Sequence, residues 1–222
     1  DQGWVWVSSE PFGWATYHYG RWALLQNRGW IWVPGIEWAP SWCSWRSGDS
    51  HIGWAPLPPE TMAYRGRGWD SRVARQCGIP SSSFNFVETR HFDRSIAQHC
   101  LPLARNTLCI RTTTNITNIQ FVNQRVFCGG PGFLELSRKL GRRLPYYRIE
   151  RSRESYERPN PGQLRTRVTG ERLIVAAPTI SRDQRGTHRS ERNRRQVIEA
   201  KPVRSANADP QVLSDYRPAR ER

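Results

Sequence analysis

Gly3-Trp4-Val5-Trp6-Val7 and Gly29-Trp30-Ile31-Trp32-Val33 are two versions of one pentapeptide. In each, indoles alternate with branched aliphatic residues. Side chains two apart share one face of a β-strand, so this alternation predicts strands rather than helices. Both faces are apolar, which predicts strands covered on both sides. A turn follows each copy: Ser8 to Gly13 in the first, Pro34-Gly35-Ile36-Glu37 in the second. Trp14-Ala15 and Trp38-Ala39 come next, then Tyr17-His18-Tyr19-Gly20-Arg21 and Trp42-Cys43-Ser44-Trp45-Arg46. Gly53-Trp54-Ala55-Pro56 is a shorter third echo. A repeat of this length is that of a hairpin with its connections. Gly and Pro recur too often to permit long helices. The expected fold is mainly β: a small Trp-rich antiparallel sheet or barrel built from hairpin repeats over residues 1–60, held by cross-strand aromatic pairs.

The rest of the chain divides by composition. Residues 61–83 read as a connector, with Arg65-Gly66-Arg67-Gly68-Trp69 and Ser81-Ser82-Ser83 flexible in character. Residues 84–150 read as a second, short β segment with one helix. Phe84-Asn85-Phe86-Val87 is a predicted strand, and Asn106 to Val126 reads as two or three more. Phe133, Leu136, Leu140 and Leu144 recur at helical spacing, which predicts a helix over 133–144 stopped by Pro145. Tyr146-Tyr147-Arg148-Ile149 can return as a strand. From Arg151 to Arg222 the chain turns to Arg, Glu, Ser, Pro and Asn. Only Arg172 to Ala177 is apolar enough to pair. The remainder reads as a long, extended, basic arm with no core of its own, shaped by a companion molecule.

Charge sharpens that division. The 222 residues carry a net charge of +15. Residues 1–137 hold 12 basic and 9 acidic side chains, residues 138–222 hold 22 and 10. The basic residues are arginine except for Lys139 and Lys201. A guanidinium forks onto carboxylate or phosphate and stacks on aromatic rings, so the arm suits an acidic surface or a polyanion. All eleven Trp lie between Trp4 and Trp69, more than a small core hides, although large rings are also what a small core needs. No apolar run is long enough to cross a membrane as a helix. A start at Asp1, without Met, is what removal of an export leader leaves, and other chain boundaries leave the same.

Candidate chemistry is sparse. His18, His51, His91, His99 and His188 are the imidazoles. His18, between Tyr17 and Tyr19, reads as a structural histidine. Asp49-Ser50-His51 and His99-Cys100 are sequence neighbours, and neighbours do not supply a converging triad or an oxyanion hole. His91, Asp93, His99 and Cys100 match no metal spacing. Gly129-Gly130-Pro131-Gly132 lacks the Lys and Ser/Thr of a phosphate loop. A glycan hydrolase needs a carboxylate pair facing a groove, and Glu10, Glu37 and Asp49 are the only acids within the core of the Trp module. Asn115-Ile116-Thr117 has the pattern of a glycosylation sequon but reads as strand sequence. No catalytic, cofactor or metal site and no small-molecule substrate is expected. The five cysteines allow two bridges at most, and Cys100, Cys109 and Cys128 share one β-rich segment, the favoured place for a disulfide; the alternative is five small buried hydrophobes. The candidate interaction residues are Trp14, Tyr17, Tyr19, Arg21, Trp38, Trp42, Trp45, Arg46 and Trp54 in front, and Arg142, Arg143, Arg192, Arg194 and Arg195 behind.

Glu10-Pro11-Phe12-Gly13-Trp14, Tyr17-His18-Tyr19-Gly20-Arg21-Trp22, Gly29 to Gly35, Trp38-Ala39-Pro40-Ser41-Trp42 and Gly53 to Pro59 resemble a family of exported bacterial proteins. That family carries a Trp-rich domain of unknown function with the pattern YHYGRW…GWxWVPG…WAPxW…GWAPLPP. The likeness is close over residues 3–60 and looser through Phe86-Val87, Asn115 to Ile119 and Asn123 to Pro131. The cysteine content departs from the pattern. The resemblance implies an exported, periplasmic or extracellular protein associated with the bacterial envelope, and no activity. The expected function is a non-catalytic structural or interaction subunit. Its Trp module docks to other protein subunits or to copies of itself, and its arm wraps a neighbour. The alternative is a polyanion-binding module for acidic polysaccharide, lipid headgroup or extracellular nucleic acid.

Overall fold

The computed structural model describes residues 2–8, 10–64, 77–123, 125–152 and 166–180. Among these the chain is mainly β. Strands β1 (Arg21–Leu25) and β2 (Gly29–Val33) form a hairpin. Leu25 faces Gly29, which leaves three residues in the loop, and Asn27 and Gly29 take positive φ there (59° and 76°). Left-handed residues in such loops match the twist of the flanking strands. Strands β3 (Cys43–Ser47), β4 (His51–Pro56), β5 (Asn85–Glu88) and β6 (Thr114–Asn115) make an antiparallel sheet ordered β5-β4-β3-β6. A second hairpin joins β7 (Ile119–Val122) to β8 (Arg125–Cys128). The last sheet is ordered β10-β11-β9, from β9 (Arg148–Ser152), β10 (Arg167–Thr169) and β11 (Arg172–Ala176), with β11 and β9 parallel. Helices are short: α1 (Gly13–Thr16), α2 (Ile96–His99), α3 (Asn106–Arg111) and α4 (Phe133–Leu140).

Strand β4 organises the core because both of its faces are buried. Ile52 and Trp54 point one way, onto Trp45, Val87 and Leu136. Ala55 points the other way, onto Phe84, Phe86 and Cys109. Gly53 is what lets Phe86 lie across the strand. A Cβ at that position would come 2.2 Å from the Phe86 ring. Trp45 and Trp54 face each other across the ladder with ring centroids 6.1 Å apart. A third cluster joins Ala39, Trp42 and Leu57 to Ile119, Val126 and Cys128. A fourth joins Tyr19 and Trp38 to Leu173, Val175 and Ala177.

The mainly β, Trp-rich reading stands, but the sequence repeat is not a structural one. Only the second pentapeptide is a ladder strand. The first runs extended beside the end of β8, where the Trp4 N–H donates to the Cys128 carbonyl and the Trp6 N–H to that of Pro40. Gly3 takes φ +79° there, and its Cα lies so close to the Cys128 carbonyl that no side chain fits. The Trp-Ala pairs also diverge: Trp14-Ala15 is helical, Trp38-Ala39 is irregular and Trp54-Ala55 lies in β4. Double coverage fails for β2, whose Trp30 and Ile31 are 41% and 42% exposed.

Two element boundaries also change. Asn106–Arg111 is a helix, not a strand, because Asn106 is buried and its amide donates to the carbonyls of Ser81 and Phe84, while Cys109 packs one turn on against the phenylalanines. The helix expected over 133–144 ends at Leu140. Gly141 adopts the left-handed conformation, its N–H returns to Arg138 and that of Arg142 to Ser137. A left-handed glycine just past the helix is a sufficient stop. Finally, residues 166–180 do not wait for a companion. Leu173, Val175 and Ala177 are buried against the front of their own chain, and the Tyr19 hydroxyl donates to the Pro178 carbonyl. The Arg65–Trp69 stretch and Arg192, Arg194 and Arg195 lie outside the described residues.

Candidate functional site

Most of the aromatic candidates are interior. Tyr19, Trp38, Trp42, Trp45 and Trp54 are all below 10% exposed and present no ring to a partner. Arg21 is buried with them. Its Cζ lies 3.5 Å from the Trp42 ring centroid, its Nε donates to Thr61 Oγ1 at 2.8 Å and its Nη1 to the Gly20 carbonyl at 2.8 Å. Burial pulls this guanidinium down to about 10, with the Glu37 charge opposing, so it stays cationic at neutral pH. Arg46 is equally structural. It binds Thr113 Oγ1 and the Ile110 and Thr113 carbonyls, tying β3 to the end of α3. Arg142 makes two hydrogen bonds to Asp93, at 2.8 and 2.6 Å, and holds that carboxyl below its usual range. Trp14 is half-buried, edge-on to Tyr19. Tyr17 is half-buried, stacked on Trp6 at 5.2 Å. Its hydroxyl donates to Glu10 at 2.7 Å, and burial followed by that bond pushes its pKa up to about 12. Arg143 is exposed.

The groups weighed for catalysis are dispersed. His18 is buried, stacked on Trp38 at 5.3 Å, and its Nδ1 lies 2.8 Å from the Ala39 carbonyl. Burial lowers its pKa. His91 stacks on His99 at 4.3 Å, while Asp93 is engaged by Arg142 and the Cys100 thiol faces Asn85. Among the described residues no three His, Cys, Asp or Glu side chains gather as a metal site. The favoured disulfide is not formed, and none of the five cysteines is bridged to another. Cys109 and Cys128 sit in different core clusters. Burial raises the thiol pKa of Cys43, Cys109 and Cys128, that of Cys128 to about 12. Asn115 caps its own turn, its Oδ1 accepting the Thr117 N–H at 2.9 Å.

One concavity among the described residues is lined by residues that the sequence reading did not single out as a site. The β1–β2 hairpin carries Trp22, Leu24 and Trp30 over a wall that includes Pro58, Glu60 and Ile79. Leu24 faces Trp30 in the ladder and Trp22 lies two residues before Leu24, so both indoles share one face as a diagonal pair. Such neighbours are about 7–8 Å apart along the backbone, within reach of aromatic rings. The Trp22 Nε1 donates to the Thr16 carbonyl at 2.9 Å, which fixes that ring. The groove holds about 80 Å³ and its walls are mostly apolar. Drug-sized ligands use roughly 300–1,000 Å³, so this space suits a single side chain. The missed signal was the alternation itself: a pentapeptide with two indoles on one face needs something over both, and the described residues cover Trp32 more fully than Trp30.

Residues 1–61 match DUF6600, a family of unknown function. The DUF6600 match takes in β1 to β4, both groove indoles, Pro58 and Glu60, and stops short of Ile79 and of every strand from β5 on. No curated protein and no solved structure matches the chain.

Proposed function

We propose that this chain is a non-catalytic interaction subunit of a bacterial envelope or extracellular assembly, which docks to other protein subunits through the β1–β2 hairpin. The observation that carries this reading is the exposed apolar hairpin. β2 bears Trp30 and Ile31, each about two-fifths exposed, next to the Trp22 groove, and Trp30 is the most exposed of the described indoles. An exposed indole beside a groove is a candidate contact for a partner's apolar side chain. The likeness of residues 3–60 to exported proteins supports an envelope location. No helix among the described residues is long and apolar enough to cross a membrane. Size-exclusion chromatography with light scattering, on the full chain and on material isolated under native conditions, tests the reading. Oligomers or a co-purifying protein are expected; a monomer at every concentration with nothing bound overturns it.

The net charge of +15 favours a second reading, binding of a polyanion by the arginine-rich half. Neutralising phosphates or carboxylates releases counterions, so that affinity falls steeply with salt. Binding of an acidic polysaccharide that is the same at low and high salt rejects it.

A further inference from the structure

We infer that α4 and the turn that follows it dock this chain on the surface of an anionic membrane. The inference rests on the polyanion reading above: it names acidic lipid headgroups as the polyanion and places the contact. Three observations carry it. First, Leu134 is the most exposed large apolar side chain among the described residues, at 72%. Tyr146, at 60%, lies edge-on to the ring of Phe133, the chain neighbour of Leu134. Second, the buried side of α4 fixes its outward side. Leu136 is buried, and Phe133 and Leu140 pack against the same cluster. Leu134 and Arg138, one turn apart and both exposed, therefore share the side turned away from the core. Third, residues 138–148 hold five cations, Arg138, Lys139, Arg142, Arg143 and Arg148, and no acid. Glu135 engages Lys139 at 3.1 Å and Asp93 engages Arg142, whereas Arg138 and Arg143 meet no carboxylate among the described residues.

The partner follows from the mixture of charge and apolar surface. A soluble polyanion complements the guanidiniums but leaves Leu134 in water. A bilayer interface complements both. Headgroup phosphates accept charge-assisted hydrogen bonds from arginine, and a leucine on the same side enters the boundary of the acyl chains. Tyrosine suits that level too, with its ring in the apolar layer and its hydroxyl among the headgroups. At eight residues α4 can lie on a membrane but cannot cross one. One leucine and two arginines give reversible docking, with each guanidinium near an anionic surface strengthening it about fivefold.

The test is co-sedimentation of the full chain with vesicles of phosphatidylcholine alone and of equal parts phosphatidylcholine and phosphatidylglycerol. Binding to the anionic vesicles and not to the neutral ones is expected. The double variant Arg138→Gln, Arg143→Gln should weaken it about tenfold or more. Leu134→Ser should weaken it about threefold or more. Leu103→Ser, at an apolar residue 62% exposed outside α4, should leave it unchanged. All these positions are exposed, so the variants are expected to keep their fold, and unchanged melting curves check this. Equal binding to neutral vesicles overturns the inference. So does anionic-vesicle binding that Leu134→Ser or the double arginine variant leaves undiminished, or that Leu103→Ser weakens as much as Leu134→Ser. A soluble acidic polysaccharide and polyglutamate are titrated in parallel. Salt-sensitive binding to either of them without binding to anionic vesicles sinks the membrane and leaves the polyanion reading intact. Binding to none of the three sinks both.

Discussion

His18 shows how one side chain sets a pH dependence. It is buried and stacked on Trp38, and burial holds its pKa below the ordinary 6.5. The unfolded chain therefore binds a proton that the folded chain refuses. The stability this histidine contributes is present in full above pH 6.5 and is lost as pH falls toward its lowered folded value. Urea midpoints should decline from about pH 6.5 to 5 in the wild type and decline less in His18→Gln. Gly53 makes a steric prediction. Its φ is not positive, so only space forbids a side chain, and the space belongs to Phe86. Gly53→Ala should cost about 1–3 kcal/mol by chemical denaturation, and Phe86→Leu in the same chain should recover part of it. Arg21→Lys should also destabilise, by about 2 kcal/mol. It keeps the charge but loses the planar stack and the Nε bond to Thr61.

At the level of elements, the sequence was legible wherever a local pattern decided the outcome. The strand at Phe84 to Val87, the strand beginning at Arg172 and a helix starting at Phe133 all follow from alternation or helical spacing. The helix end was legible too, in Gly141, but Pro145 drew the boundary too far. Elsewhere tertiary partners decided. Asn106 to Arg111 holds β-favouring residues, yet its turn is fixed by the carbonyls of Ser81 and Phe84, which lie more than 20 residues back. The two Trp-rich pentapeptides carry the same local preference, and what separates them is the neighbour each finds. The groove was invisible for the same reason: its two walls come from a hairpin and from a distant proline-rich turn. β11 makes the testable case. Leu173→Ala should cost about 2–4 kcal/mol in urea unfolding, because the side chain fills a cluster with Tyr19 and Trp38. Limited proteolysis of the isolated chain should leave residues 166–180 uncut.

The molecule as a whole does not respect the boundary drawn by its family match. Trp38 is covered by Leu173 and Val175, Trp42 by Ile119 and Cys128, Trp54 by Val87 and Leu136. Each of these partners lies beyond residue 61. A fragment ending at residue 61 should therefore remain unfolded. Circular dichroism should lack the β signal, and its Trp emission should sit at the wavelength of water-exposed indole.

The bond from Tyr19 to Pro178 spans 159 residues of chain. During synthesis the front of the protein leaves the ribosome long before its covering strand exists. At about 5–20 residues per second, the wait is on the order of 10–30 s. Throughout that interval a stretch with ten of the chain's eleven indoles is short of its cover, and a fold that closes over such separations closes slowly. A nascent chain of this design should therefore gain from a chaperone or a holding surface until β11 arrives.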